Sequence, residues 1–264
     1  MPDNLSSIGI LDSGVGGVTV WAEITRLMPA ESTYYTADTA NCPYGGKSHA
    51  QIRDLTRACV AQLMERDVKL IVLACNSMSA ASATALREAY PGFPFIAMEP
   101  AVKPAFGTTR SGVVGILATR ATLDGTLYRR TLSKHEGEAR VVEVAGDGLV
   151  ELVEAGREES PEAYSLIRSY VTPMMDAGAD IIVLGCTHYP FLRKAIDAAS
   201  GGSLAIVDPA GAVARYTRQL LQEKQLLAPP DNLPAHVLVS TASEKESAKL
   251  KERAKNYIFT LQNG

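Results

Sequence analysis

No apolar run in this chain approaches the roughly 20 residues that a membrane-spanning helix needs. A strong net charge is missing too. It is −3 over 264 residues, and neither a basic run nor an interleaving of basic and aromatic side chains interrupts that balance. Nothing here calls for nucleic acid or an anionic membrane surface as a partner. The opening, MPDNLSSIGI, lacks the charged and apolar regions of a signal peptide, and low-complexity segments are missing as well. The expected location is therefore cytoplasmic. What is present suits a globular chain with a sizeable core: 46% hydrophobic and 21% charged residues. Its length fits one large domain or two small ones.

Cysteine is scarce. The four are Cys42, Cys59, Cys75 and Cys186, and in a reducing compartment they are expected to be free thiols. Cys59 lies among Ile52, Leu55, Ala58 and Leu63 at helical spacing and reads as core, where a free cysteine packs as a small hydrophobe. Cys42 falls in TANCPYGGKS, a loop rich in Pro and Gly. Cys75 and Cys186 differ from both. Each closes an apolar run of the kind that forms a buried parallel strand: LIVLACNSMSA (70–80) and DIIVLGCTHYP (180–190).

Strands alternate with helices along the whole chain. SIGIL, STYYTAD, KLIVLAC and PFIAM read as strands of a first half, GVVGIL, ARVVEVA and DIIVLGC as strands of a second. Helices are expected over VTVWAEITRLM, where Val18, Trp21, Ile24 and Leu27 share a face, over Ala50 to Glu65, and over about Met78 to Tyr90. Others follow through LDGTLYRRTL, in two stretches up to Ala177, and over about Pro190 to Ala199. This alternation implies an α/β fold with parallel sheets covered on both faces. The halves also match each other. GILDS, from Gly9, pairs with GILAT, from Gly115, at an offset of 106 residues, and the cysteine strands pair at 111. Two similar, pseudo-symmetric α/β lobes are expected. The tail, LAIVDPAGAVARYTRQLL and then AHVLVSTASEKESAKLKERAKNYI, adds two strand–helix units and is expected to return to the first lobe. The expected boundaries are 1–98 plus 208–264 for lobe 1 and 99–207 for lobe 2.

Open α/β sheets bind ligands beyond the carboxyl ends of their strands. Asp12 and Ser13, Cys75 to Ser77, Thr119, and Cys186 to His188 occupy such ends. If the lobes face each other, the two cysteines face each other across a cleft. Facing cysteines admit four readings. A disulfide is disfavoured by the compartment. A metal site could draw on Cys75, Cys186, His188 and Asp12, but no CxxC or HxxxH pair supports one. A nucleophilic cysteine with His188 as base would leave the other cysteine without a role. The fourth reading is a pair of acid/base groups on opposite faces of one carbon, as inversion of a stereocentre requires.

The motifs GILDSGVGGVTV, NCPYGGKS, LACNSMSA, GLVELVEAG and LGCTHYPFL together resemble those of glutamate racemases, in the cofactor-independent aspartate/glutamate racemase superfamily. The resemblance runs in order over essentially the whole chain. It implies two α/β lobes with the active site between them and D-glutamate supply for peptidoglycan synthesis. It also implies catalysis by Cys75 on D-glutamate and Cys186 on L-glutamate, with neither pyridoxal phosphate nor metal. By the same resemblance, Asp12, Glu154 and His188 support acid/base transfer. Asp12, Ser13, Tyr44, Gly45, Asn76, Ser77, Thr187 and His188 contact substrate, with Thr119 added from its strand-end position. Assembly as a homodimer is compatible with it. The chain departs from the usual pattern at Ser77, where Thr is common, at Met78, where a small residue is usual, at Glu151 beside Glu154, and at Pro209. Substrate choice is the property these departures touch, so a racemase of aspartate or another amino acid is the alternative, and an amino-acid-binding protein is the alternative outside enzymes.

Each residue also has a plainer reading. Asp12 could cap a helix, Tyr44 and Gly45 could be turn residues, His188 could be a structural hydrogen-bonding histidine, and Glu154 a solvated helix residue. SGVGG lacks the spacing of a nucleotide loop and reads as a tight strand-to-helix turn.

Overall fold

The structure, a computed structural model, describes residues 3–263, with side chains through residue 261. The chain divides into two compact units. Residues up to Met98 and from Ala210 onward make the first, and Glu99–Pro209 makes the second.

In the first unit the order is β1 (Ile8–Asp12), α1 (Val18–Leu27), β2 (Thr33–Ala37), α2 (His49–Met64), β3 (Leu70–Leu73), α3 (Asn76–Ala89) and β4 (Phe95–Ala97). The second unit holds α4 (Val102–Phe106), β5 (Val113–Ala118), α5 (Arg120–Leu123), α6 (Thr126–Lys134), β6 (Arg140–Ala145), α7 (Leu149–Glu154) and α8 (Pro161–Asp176). It continues with β7 (Ile181–Gly185), a 3-10 turn over Tyr189–Leu192, α9 (Arg193–Ser200) and β8 (Ala205–Val207). The chain then supplies α10 (Ala210–Glu223), β9 (His236–Ser240) and α11 (Glu244–Asn263) to the first unit.

Both sheets are parallel throughout, in the orders β4-β3-β1-β2-β9 and β6-β5-β7-β8. The central strands β1, β3 and β7 are buried at every residue, which is why they read as unbroken apolar runs. The internal repeat extends to the register. Gly9 stands opposite Ile71 and Leu11 opposite Leu73; Gly115 stands opposite Ile182 and Leu117 opposite Leu184. The GIL strand and the cysteine strand are therefore neighbours in each sheet, paired at equivalent residues.

Four features depart from the sequence expectation. Helix α3 begins at Asn76, two residues before Met78, because Cys75 takes the extended conformation of a cap residue (φ −133°, ψ 124°). The helix expected through LDGTLYRRTL is interrupted at Gly125, which is extended and starts α6. The segment after Cys186 opens as a 3-10 turn containing Pro190, ahead of α9. Of the tail's two strands, β8 adds to the second sheet, beside β7, and β9 to the first, beside β2.

The tail is bound to the first unit by more than β9. Lys69 Nζ, fully buried, lies 2.5 Å from Glu31 Oε2 and donates to the carbonyls of Asn4 (2.8 Å) and Leu226 (2.9 Å). Glu31 Oε1 accepts the Ala228 N–H at 2.8 Å. A buried charge pair is tolerable only when its remaining polar capacity is met, as these bonds meet it. The second unit has its own core, in which Val102, Phe106, Val114, Ile116, Tyr128, Ile181 and Val183 pack together. Each fully buried side chain of that size contributes roughly 1.5–3 kcal/mol. Among the described residues no helix is long and apolar enough to cross a membrane.

Candidate active site

In the first unit the chain leaves β1 at Asp12 and turns at once. Asp12 is fully buried. Its Oδ1 accepts the N–H of Gly14 at 2.7 Å, so it closes the turn rather than capping α1, whose cap position is Gly17 with no side-chain bond. Tyr35 on the neighbouring strand donates its hydroxyl to Gly14 O at 2.7 Å. A Cβ at Gly17 would stand 2.6 Å from Asp12 Cβ and 2.8 Å from the Tyr35 hydroxyl oxygen. SGVGG is thus a turn folded around Asp12, with the glycine set by that close approach.

Cys75 ends the adjacent strand and precedes the first turn of α3, where backbone N–H groups lack helical partners. Its Sγ lies 3.8 Å from Ser13 Oγ. Cys75, Ser13, Asn76 and Ser77 are all buried. The amide of Asn76 is unusual: neither Oδ1 nor Nδ2 has a hydrogen-bond partner. Leaving a buried polar group unmet costs about 1–3 kcal/mol, and a polar ligand is what would meet it.

Tyr44 is buried too, and its hydroxyl donates to Asp38 Oδ2 at 2.6 Å. Burial, and then the Asp38 carboxylate, push its phenol far above the usual range. Asp38 also accepts from Asn41 Nδ2 (3.1 Å) and Thr241 Oγ1 (2.7 Å), and its N–H donates to Asp12 O at 2.9 Å. The loop carrying Tyr44 and the half-buried Gly45 is therefore pinned to the end of β1 through Asp38. Cys59 sits in the core, where burial pushes its thiol up to about 12.

In the second unit Thr119 follows β5 at the position equivalent to Ser13. Its Oγ1 accepts the Thr122 N–H at 3.3 Å and lies 2.9 Å from Thr122 Oγ1, so it caps α5. Cys186, Thr187 and His188 follow β7, all buried. Cys186 Sγ lies 3.7 Å from His188 Nδ1, and His188 Nε2 lies 2.6 Å from Glu154 Oε1. Glu154 therefore reaches His188 instead of pointing into solvent, and it is Glu154, not Glu151, that does so. If Nε2 carries the proton donated to Glu154, Nδ1 of the neutral ring is an acceptor facing the thiol. A proton can then pass from Cys186 to Nδ1, and the carboxylate stabilises the resulting imidazolium.

Each unit thus ends one strand of an equivalent pair in a buried thiol with a polar neighbour: a hydroxyl at Cys75, an imidazole at Cys186. Three residues escaped the sequence reading. Tyr35 and Asp38 shape the first site, and Tyr189 packs fully buried behind the second with its hydroxyl on Gly146 O at 3.1 Å. The adjacency of Tyr189 to the CTH triplet was the one available signal.

The sequence matches the family described as Asp/Glu/hydantoin racemase over residues 8–217. A protein named glutamate racemase from Roseiflexus sp. (strain RS-1) is 47% identical over 239 residues, covering 90% of this chain and 88% of that one. Among solved structures, glutamate racemase isoform RacE1 from Bacillus anthracis has a TM-score of 0.86 at 33% identity, covering 96% of this chain and 94% of its own. Glutamate racemase from Francisella tularensis in complex with D-glutamate has a TM-score of 0.82 at 26% identity, covering 95% and 94%.

Proposed function

Because this chain belongs to the Asp/Glu/hydantoin racemase family, we infer that it is a glutamate racemase, an isomerase that interconverts L- and D-glutamate without a cofactor. The observation that carries the two-thiol form of this reading is the register-matched pair of strands, each ending in a buried cysteine. A racemase that works by proton transfer needs one group per face of the α-carbon, and a duplicated strand end supplies two of one kind.

Backbone N–H groups at the start of α3, with Ser13, Asn76, Ser77 and Thr187, hold the substrate carboxylate. The unpartnered Asn76 amide supports its place in this set. Tyr44, Gly45 and Thr119 line the substrate's surroundings. One thiolate takes the α-proton, forming its S–H bond while the C–H electron pair stays on carbon. The other cysteine, as thiol, gives its proton to the opposite face and is left as thiolate. The reverse reaction resets both. His188, steadied by Glu154, exchanges a proton with Cys186. The substrate ammonium offsets the charge of Asp12 and favours the Cys75 thiolate once substrate is bound. Cytoplasmic D-glutamate for peptidoglycan is the product this implies, and a homodimer is the assembly proposed.

Incubation of the purified protein with L-glutamate in D₂O, with no cofactor added, tests this. The expected product is α-deuterated D-glutamate. Binding without α-deuteration would mark a binding protein instead, and turnover of aspartate at equal kcat/KM would move the assignment to the alternative substrate.

A further inference from the structure

Two consecutive residues of the second unit, His188 and Tyr189, hold the two ends of one short helix. His188 Nε2 meets Glu154, the last residue of α7, at 2.6 Å. The Tyr189 hydroxyl donates to the carbonyl of Gly146, just ahead of α7, at 3.1 Å. Helix α7 has only six residues, too few to hold its own conformation in water. Its placement depends on these attachments and on its buried Leu149, Val150, Leu152 and Val153.

We propose that Tyr189 is a positioning residue for proton transfer at Cys186: its hydroxyl fixes the entry of α7, and so keeps the Glu154 carboxylate on the His188 imidazole. The proposal rests on the racemase reading above.

The surroundings of Tyr189 are built for this bond. The side chain is fully buried, so its hydroxyl must find a partner within the protein. A Cβ at Gly146 would lie 2.5 Å from the Tyr189 hydroxyl oxygen and 2.9 Å from its Cζ. The glycine is what lets the phenol reach that carbonyl. Burial first, and then the neighbouring Cys186, push the phenol well above its ordinary range, so the group remains a donor wherever the enzyme is folded. Tyr170 donates to the next carbonyl, Asp147 O, at 2.8 Å. That bond ties the same loop to α8, whereas Tyr189 ties it to the segment that carries Cys186 and His188.

Tyr189→Phe keeps the ring and deletes the hydroxyl. Mirror-image substrates have an equilibrium constant of one, so kcat/KM must fall together in the two directions; a loss of about tenfold is expected, less than the 10²–10⁴ that the whole of a positioned acid/base transfer is worth, because the acid/base groups themselves remain. KM should stay within about twofold, since no substrate contact is removed. The diagnostic readout is the α-deuterium isotope effect on kcat/KM for each enantiomer. If Cys186 takes the proton from L-glutamate, slowing that step exposes the isotope effect for the L-form and masks it for the D-form. Their ratio should therefore rise in Tyr189→Phe. Gly146→Ala, which crowds the same hydroxyl from the other side, should shift it in the same direction. A residue important only for folding lowers the melting temperature and leaves this ratio alone. An active wild type whose ratio is unchanged in both folded variants overturns the proposal while leaving the racemase reading intact. So does loss of the fold in both. A wild type that does not racemise glutamate overturns the functional reading itself, and the role of Tyr189 with it.

Discussion

Cys75 and Cys186 end equivalent strands in different company, a hydroxyl for one and an imidazole for the other. Their replacement should nonetheless have the same result. Cys75→Ala and Cys186→Ala are each expected to lower racemisation by more than about 10³-fold, the scale of a lost acid/base group and more, with the melting transition retained. Substantial turnover by either purified variant would end the two-thiol mechanism. On the Cys186 side Glu154 reaches the thiol's neighbour, His188. Glu154→Gln should reduce kcat by roughly 10–100-fold, while Glu151→Gln stays near wild type; equal losses would remove the His188–Glu154 contact from the mechanism. Asn76→Ala should raise KM for glutamate by about tenfold, as expected for a lost positioned contact. It should not lower the melting temperature, because the amide it removes has no partner to lose. At this scale the sequence was readable for residues placed at or just past the end of an apolar run: Asp12, Cys75, Cys186 and His188. It was silent about residues whose partners are distant backbone atoms. Tyr189 finds its acceptor at Gly146 and Tyr35 at Gly14, and no local pattern announces such a bond.

At the scale of elements, the buried strands were legible because both faces of a parallel sheet are covered, and the run of Ile, Val and Leu shows it. Helix ends were less so. The extended backbone at Cys75 starts α3 early, and an extended Gly125 divides α5 from α6. The join between β2 and β9 makes its own prediction. Trp21 Nε1 donates to Thr33 Oγ1 at 2.9 Å, and that hydroxyl lies 2.9 Å from His236 Nδ1 on β9, with the two rings edge to face at 5.8 Å. Partial burial lowers the pKa of His236. A histidine with a depressed folded pKa contributes its stability fully above its unfolded value, near 6.5, and loses it as pH falls toward the folded one. Acidification from about pH 7.5 to 5.5 should therefore lower the melting temperature of the wild type more than that of His236→Gln. Emission from Trp21, the single tryptophan, should change in the same window. Parallel melting curves for the two proteins across that range would remove His236 from the linkage.

For the whole molecule, the two units differ in how they are assembled. Glu99–Pro209 is one continuous stretch with its own sheet and core. The first unit takes its edge strand, two helices and part of the Lys69–Glu31 clamp from the tail. A fragment of residues 99–209 is expected to show a cooperative thermal transition by circular dichroism. Residues 1–98 alone should not, and co-expression with 210–264 should restore one. A cooperative transition in 1–98 by itself would contradict the dependence on β9 and the clamp. The same arrangement sets an order of events on the ribosome. Thr33 and His236, which pair across β2 and β9, are 203 residues apart, so at ~5–20 residues per second their meeting is delayed by roughly 10–40 s. Through the later part of that interval the open side of β2 and a Lys69–Glu31 pair still lacking its bonds to Leu226 and Ala228 are exposed in a nascent chain whose middle portion can already have folded. Nascent-chain quality control would therefore meet this protein as a finished second unit hanging from an unfinished first one.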